Sequence, residues 1–273
     1  MSLDKNTQDV SAAFSKQAPV FDQLYSENML SEYLRAIFRK EIRSHLSPGS
    51  SILELNCGTG MDALYFAELG HHLTAIDIAP GMIEQLNAKI SKFHLEEKIS
   101  TLLCSFHAID HITDQKFDHI ISNFGGLNCT NNLKDVLTKL DPLLTPNGKV
   151  TLMIMPKISP WELIMVFKGN FKTAFRRFKK GTPAQIEGHK FLCYYYNAGY
   201  VKRILKNNFN VLSLRGVSVF VPPEFYSNFV ERYPRVFSVL KKVESVVGAY
   251  FPFNRCCDHY LITLQKKSNS KII

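Results

Sequence analysis

The sequence predicts an α/β fold: a three-layer sandwich around a seven-stranded, mostly parallel sheet with an antiparallel last strand, plus helical insertions. Three observations carry this. Segments of strand and helix character alternate from Ser51 to Met155. A glycine-rich turn, Gly58-Thr59-Gly60, directly follows the first strand. Two further strand-like segments close the chain after position 208. Alternating β and α units bury helices on both faces of a parallel sheet.

The elements follow in order. Residues 1–30 read as a polar start and a short amphipathic helix, with Phe14, Phe21, Leu24 and Tyr25 sharing a face. Residues 31–46 read as a second helix capped by Ser31, with Leu34, Ile37, Phe38 and Ile42 as its apolar stripe. Ser47-Pro48-Gly49 ends it. Strands are expected at Ser51–Leu55, His72–Ile76, Ile99–Cys104, Phe117–Ser122 and Lys149–Met155. Helices are expected at Gly60–Leu69, Gly81–Phe93 and Leu133–Leu140. Residues 156–190 break the rhythm. A helix is expected at about 191–207, followed by strands at Phe209–Phe220 and His259–Gln265.

Composition excludes several classes. At 45% hydrophobic and 21% charged residues the chain is globular rather than disordered. Six cysteines without paired C-x-x-C spacing suggest neither a disulfide framework nor a zinc site, so no metal is expected. The N-terminus lacks an apolar targeting segment, and the apolar run Val150–Phe167 is broken by Pro156, Lys157 and Pro160. A cytoplasmic setting is therefore expected. The net charge of +9 is local: between Pro156 and Gly216 there are twelve Lys/Arg and two acids. That makes it a surface property of one segment.

A glycine turn between a strand and its helix lets a ligand approach the backbone, and the helix N-terminus adds N–H donors. Asp77, 17 residues after Gly60, stands at the end of the next strand, where an acid meets ribose hydroxyls. Both facts also describe a dinucleotide site, since Gly58 to Ala63 satisfies G-x-G-x-x-A. Glu54 discriminates. An anion at the end of the first strand opposes a pyrophosphate but suits the ammonium of S-adenosylmethionine. A nicotinamide-dependent oxidoreductase is the competing reading, and a non-catalytic cofactor-binding module that docks on a membrane is another.

E-L-N-C-G-T-G followed by A-I-D-I-A-P-G-M resembles the first two motifs of class I (Rossmann-like) S-adenosylmethionine-dependent methyltransferases. FSKQAPVFDQLY resembles the lid helix of the small-molecule group that includes ubiquinone/menaquinone and biotin-pathway methyltransferases. The likeness runs from about residue 10 to residue 155. It implies lid helices over 1–46 and a cofactor-binding core over 47–155. A basic, Phe-rich substrate lid would follow at 156–190. The rest of the core, 191–273, would carry a second insertion at about 222–258. It further implies that Glu54, Asn56, Cys57, Gly58 and Gly60 cradle the methionine part and Asp77 takes the ribose. Ile78 and Met82 would pack on adenine, with Ser105 and Phe106 at its edge. Asn123, Phe124 and Tyr25 would stand near the methyl group. Ser105 departs from the family, which often has Asp there.

Methyl transfer from a sulfonium needs positioning and desolvation more than a catalytic triad. If a base assists, His189 or Tyr195 is the candidate, with His107, His111 and the neighbouring tyrosines behind them. The apolar character of 161–178 points to a small, apolar or aromatic acceptor. Asn123-Phe124 is not the N/D-P-P-Y/F motif of DNA amino-methylation, and nucleic acid is not expected as a partner. Phe167, Phe171, Phe175 and Phe178 recur at helical spacing among Lys168, Lys172, Arg176, Lys179 and Lys180. The expectation is a lid helix with its Phe face on the core and its lysines in water. Peripheral contact of 167–180 with an anionic membrane is the alternative.

Overall fold

The computed structural model describes residues 4–112 and 115–268. The extreme ends of the first and last predicted segments, residues 1–3 and 269–273, lie outside the described residues.

Seven strands form the main sheet: β1 (Ser51–Leu55), β2 (His72–Asp77), β3 (Ile99–Leu103), β4 (Phe117–Ser122), β5 (Leu144–Ile154), β8 (Phe209–Val217) and β9 (His259–Lys266). Their order is β3-β2-β1-β4-β5-β9-β8. The first five run parallel, while β9 pairs antiparallel with both β5 and β8. The mixed sheet with an antiparallel end agrees with the fold predicted from sequence. The remaining strands, β6 (Thr182–Ile186) and β7 (His189–Cys193), form a separate hairpin.

Helices cover both faces. α2 (Met29–Arg43), α3 (Met61–Glu68) and α4 (Pro80–Lys92) pack one side through Leu34, Phe38, Ile42, Phe66, Leu86 and Ile90. α5 (Leu133–Thr138) and α6 (Ala198–Leu205) pack the other through Val136, Leu137, Val201 and Leu205. α7 (Pro234–Val247) lies outside this sandwich and buries Phe237 against Leu30 and Val221.

The chain moves outward from β1 to β3, then returns to lay β4 on the opposite flank of β1. Connections therefore diverge above β1 and β4, which opens a crevice at the carboxyl ends of those strands. α1 (Lys5–Ser26) lies across that crevice. Ser11 Oγ donates to Ile78 O at 2.9 Å, and Asn6 Nδ2 donates to Cys129 O at 2.9 Å. Asp22 pairs with Lys89 of α4 and accepts from Thr59 of the glycine turn.

Three local expectations change. The cap of α2 is Asn28 rather than Ser31. Asn28 Oδ1 accepts from Leu30 N at 3.0 Å, while Ser31 is fully buried. The helix expected from about 191 begins at Ala198. Glu187 and Gly188 both adopt left-handed backbone (φ 48° and 84°), a hairpin turn that pairs 182–186 with 189–193 and claims those residues for a strand. The continuous helix expected through Phe167–Phe178 is broken into single turns at 164–168, 171–174 and 176–178. Gly169 in the left-handed region (φ 69°) ends the first of them.

Gly81 shows how tightly α1 is seated. A Cβ there would lie 2.6 Å from the carbonyl oxygen of Ser15. In Gly81→Ala the gain in helix propensity, about 1 kcal/mol, offsets part of that clash. The expected result is nearly unchanged global stability in urea but faster amide exchange in α1 alone. Unchanged exchange across α1 would show that the contact does not hold the helix down.

Candidate functional site

Glu54 is the key to the site's electrostatics. It stands near the end of β1, is 2% exposed, and its Oε2 has no hydrogen-bond partner among the described residues. Burial, reinforced by the nearby Asp62 carboxylate, pushes its pKa well above the usual carboxylate value, although Arg35 and Arg39 pull the other way. A carboxyl in that position gains most from a cation.

The turn after Glu54 is held in shape by side chains. Asn56 adopts left-handed backbone (φ 50°), accepts from Ser122 Oγ at 2.6 Å and donates to Asn123 O at 3.1 Å. Gly58 and Gly60 are also left-handed (φ 55° and 81°). A Cβ on Gly60 would meet Leu86 Cδ1 at 2.2 Å, so only glycine brings α3 this close to α4. Asp77 Oδ2 accepts from Gly58 N and Oδ1 from Ala79 N, both at 2.9 Å. Burial raises the Asp77 carboxyl while these N–H groups stabilise its charge. Each oxygen retains a lone pair for a ligand hydroxyl.

The crevice above these strands is a single cavity. Its floor and walls bring together Glu54, Asn56, Cys57, Gly58, Asp77, Ile78, Met82, Ser105, Phe106, Asn123, Phe124 and, from α1, Tyr25. Twelve of the thirteen residues proposed from sequence for the cofactor thus line one cavity. Gly60 does not line it, because its part is to shape the turn from behind. Ser105 Oγ accepts from His107 N at 3.2 Å, which leaves its hydroxyl hydrogen free to donate. Burial and the Glu224 charge push the Tyr25 phenol up to about 12, so it stays protonated near neutrality.

The proposed bases do not join them. His189 begins β7 on the hairpin, and neither it nor Tyr195 lines the cavity. Tyr195 is turned instead onto the guanidinium of Arg177, 4.9 Å from its ring centre, and burial pushes its hydroxyl up to about 12. His107 has both ring nitrogens engaged, Nδ1 with Asp135 at 2.7 Å and Nε2 with Thr130 at 2.8 Å. His111 is exposed. The hairpin that sequence periodicity missed carries His189 away, and Tyr195 follows it, turned toward Arg177.

The structure adds residues that sequence reading passed over. Phe14 and Phe21 of α1 close the cavity from above, and Phe21 lies 3.7 Å from where a Gly58 Cβ would be. Arg35 and Asp62 reach it from the side. Arg35 Nη1 donates to Asp62 Oδ2 at 2.8 Å and Arg39 Nε to Oδ1 at 2.7 Å, while Asn123 Nδ2 donates to Oδ2 at 2.7 Å. Burial disfavours the Asp62 charge, yet the two arginines hold its pKa below the usual value. Arg35 sits beside the apolar stripe of α2 with Arg39 four residues on. Arginines so placed demand a buried carboxylate.

Residues 52–148 match the family of methyltransferase domains. Over these residues the chain carries a methyltransferase domain. Among relatives of the methyltransferase, an uncharacterised protein of Methanocaldococcus jannaschii is 26% identical over 85% of this chain and 90% of its own length. The malonyl-[acyl-carrier protein] O-methyltransferase of Salmonella typhimurium is 27% identical over 58% of each. The chain thus spans little more than half of that curated enzyme. The fold is shared with the Burkholderia thailandensis 1,6-didemethyltoxoflavin-N1-methyltransferase, solved with its substrate and S-adenosylhomocysteine. The TM-score is 0.57 at 16% identity, over 98% of this chain and 93% of that one. No helix among the described residues is long and apolar enough to cross a membrane.

Removing the Asp62 charge tests the cluster. Asp62→Asn takes the shared counter-ion from two largely buried guanidinium groups, leaving Arg35 only its longer contact with the half-exposed Glu32 at 3.8 Å, and a loss of about 3–5 kcal/mol in urea unfolding is expected. The same carboxylate gives an acid limb. Its folded pKa is depressed, so its stabilisation is present above about pH 4 and is lost as pH falls further. Asp62→Asn should flatten that part of the stability–pH curve, and an unchanged acid limb would contradict the assignment.

Proposed function

We propose that the methyltransferase acts on a small, apolar or aromatic acceptor by in-line displacement within the crevice under α1. The observation that carries this is the unpartnered buried Glu54 Oε2 facing a cavity whose roof is aromatic, with Phe14, Phe21, Tyr25 and Phe124. The orphaned carboxyl fits an ammonium, and the aromatic roof fits a flat or greasy acceptor.

S-adenosylmethionine supplies a methyl group already activated on a sulfonium. In this reading the chain's own residues do the following. Glu54 takes the ammonium, and Arg35, beside it, the carboxylate of the methionine part. Asn56, Cys57 and Gly58 cradle that part, on the turn that Gly60 allows. Asp77 takes the ribose hydroxyls with its remaining lone pairs. Ile78 and Met82 pack on adenine, with Ser105 donating at its edge beside Phe106. Asn123, Phe124 and Tyr25 face the methyl end. Tyr25, protonated near neutrality, orients an acceptor oxygen or nitrogen as a donor. Closure by α1 excludes water and holds the reactants in line. The division suggested by sequence serves the same reading. Residues 1–46 roof the site, 47–155 hold the donor, and the inserts at 156–190 and 222–258 flank it within the remaining 191–273.

The raised pKa of Glu54 makes a thermodynamic test. A bound cation lowers it, so S-adenosylmethionine binding should release a proton at any pH where the empty site holds Glu54 protonated. Calorimetry in buffers of different ionisation enthalpy measures this. In Glu54→Gln the release should vanish and affinity should fall about 10–100-fold, the worth of a charge-assisted hydrogen bond. Absence of any affinity for S-adenosylmethionine or S-adenosylhomocysteine would sink the site assignment. The acceptor class is tested by incubating the chain with labelled S-adenosylmethionine and a metabolite and lipid extract. Label should enter a small organic-soluble product, and label appearing only in protein or nucleic acid would exclude the proposed class.

A further inference from the structure

The insertion after β5 exposes its aromatic side chains instead of burying them. Phe167 is 91% exposed, Phe171 59%, Phe178 51%, Phe175 48% and Ile164 46%. Monomer surfaces rarely concentrate large apolar groups in this way without a partner.

The exposure is held in place by charge. Glu162, 2% exposed, accepts from Arg176 Nε at 2.7 Å and Arg177 Nε at 2.6 Å. Arg177 in turn donates to Asp258 Oδ1 at 2.5 Å and stacks on Tyr195. Ala174 is buried on the same side. Turning the phenyl groups inward would pull the arginines out of these buried pairs, and one-sided loss of a buried pair is strongly unfavourable. The segment is thus locked with Arg177 and Ala174 inward and its four phenylalanines outward.

The surroundings of the phenylalanines select the partner. No acidic residue occurs from Leu163 to Ile186. Lys168, Lys172, Lys179 and Lys180 are exposed, and among the described residues none of their ammonium groups has an acidic or hydrogen-bonding partner. Two copies facing each other here would oppose lysine with lysine. An acidic protein would match the lysines but must also bury four protruding rings. An anionic bilayer satisfies both: rings enter the interfacial zone while ammonium groups meet lipid phosphates.

We propose that residues 164–180 are a peripheral docking surface for anionic phospholipid membranes. This goes beyond the methyl-transfer reading, since vesicle binding and methyl transfer are measured separately. The full chain should co-sediment with vesicles of phosphatidylcholine plus phosphatidylglycerol. It should bind far less to phosphatidylcholine alone, and raising salt from about 0.1 to about 0.5 M should release it. Phe167→Ser/Phe171→Ser and Lys179→Glu/Lys180→Glu should each weaken partitioning by about tenfold or more. Neither should alter S-adenosylhomocysteine affinity, because these side chains lie outside the cavity. Equal binding to both vesicle types, or no binding by the wild-type chain, overturns the proposal. So does a wild-type dimer that Phe167→Ser/Phe171→Ser abolishes.

Discussion

Asp62 carries a carboxylate into the interior at the N-terminal turn of α3, and three elements converge to keep it charged there. Arg35 and Arg39 arrive from α2, and Asn123 from the end of β4. A buried charge tolerates little freedom in its partners, because losing one leaves the others uncompensated. Arg35 and Asn123, with Asp62 itself, border the crevice between β1 and β4. The guanidinium of Arg35 lies 4.5 Å from the Phe124 ring centre, so the same cluster orients the aromatic wall of the cavity. Glu54 sits in the field of this cluster and is left with an oxygen that no neighbour among the described residues serves. That arrangement leaves the cavity with a buried carboxyl at one end and apolar rings further out.

The roof is built by different means. α1 is fastened by side chains reaching backbone or a single charge, Asn6, Ser11 and Asp22, and by two small apolar clusters, Val10 and Ala13 against Phe191 and Ala18 against Ala79 and Met82. Each such bond is worth about 1 kcal/mol, far less than the packing that holds α2 to the sheet. A lid fastened this way can lift without unfolding the core, which suits a site that must admit two reactants and then exclude water. The insertion after β5 follows a third logic. Its anchor is the Glu162–Arg177–Asp258 set, and that anchor turns Phe167, Phe171, Phe175 and Phe178 outward.

Much of the cavity's lining was legible in the sequence, for a physical reason. Glu54, the turn to Gly60, and Asp77 are close along the chain and lie at the ends of adjacent parallel strands. Their spacing therefore encodes their geometry directly. Arg35, Phe14 and Phe21 were missed because they enter from helices that precede β1, where no local spacing relates them to the turn. His189 and Tyr195 stand outside the cavity lining, and helical periodicity hid the hairpin that holds His189, whose turn rests on two left-handed residues, Glu187 and Gly188. The Phe-rich segment was misread in the same way. Its i, i+4 pattern described a face correctly but not which way that face points.

By itself the sequence determined the α/β class, the strand-end residues that come to line the cavity, and the methyltransferase motifs. Each depends on short-range pattern: alternation of periods, a glycine turn, an acid at a strand end. Only the tertiary structure decided which residues roof the cavity, which candidates for a base are excluded from it, and which face of the basic insertion meets solvent. Those outcomes depend on long-range pairing of buried charges, where Arg35 finds Asp62 and Arg177 finds Asp258. No local spacing in the sequence specifies which of its carboxylates a given arginine will meet.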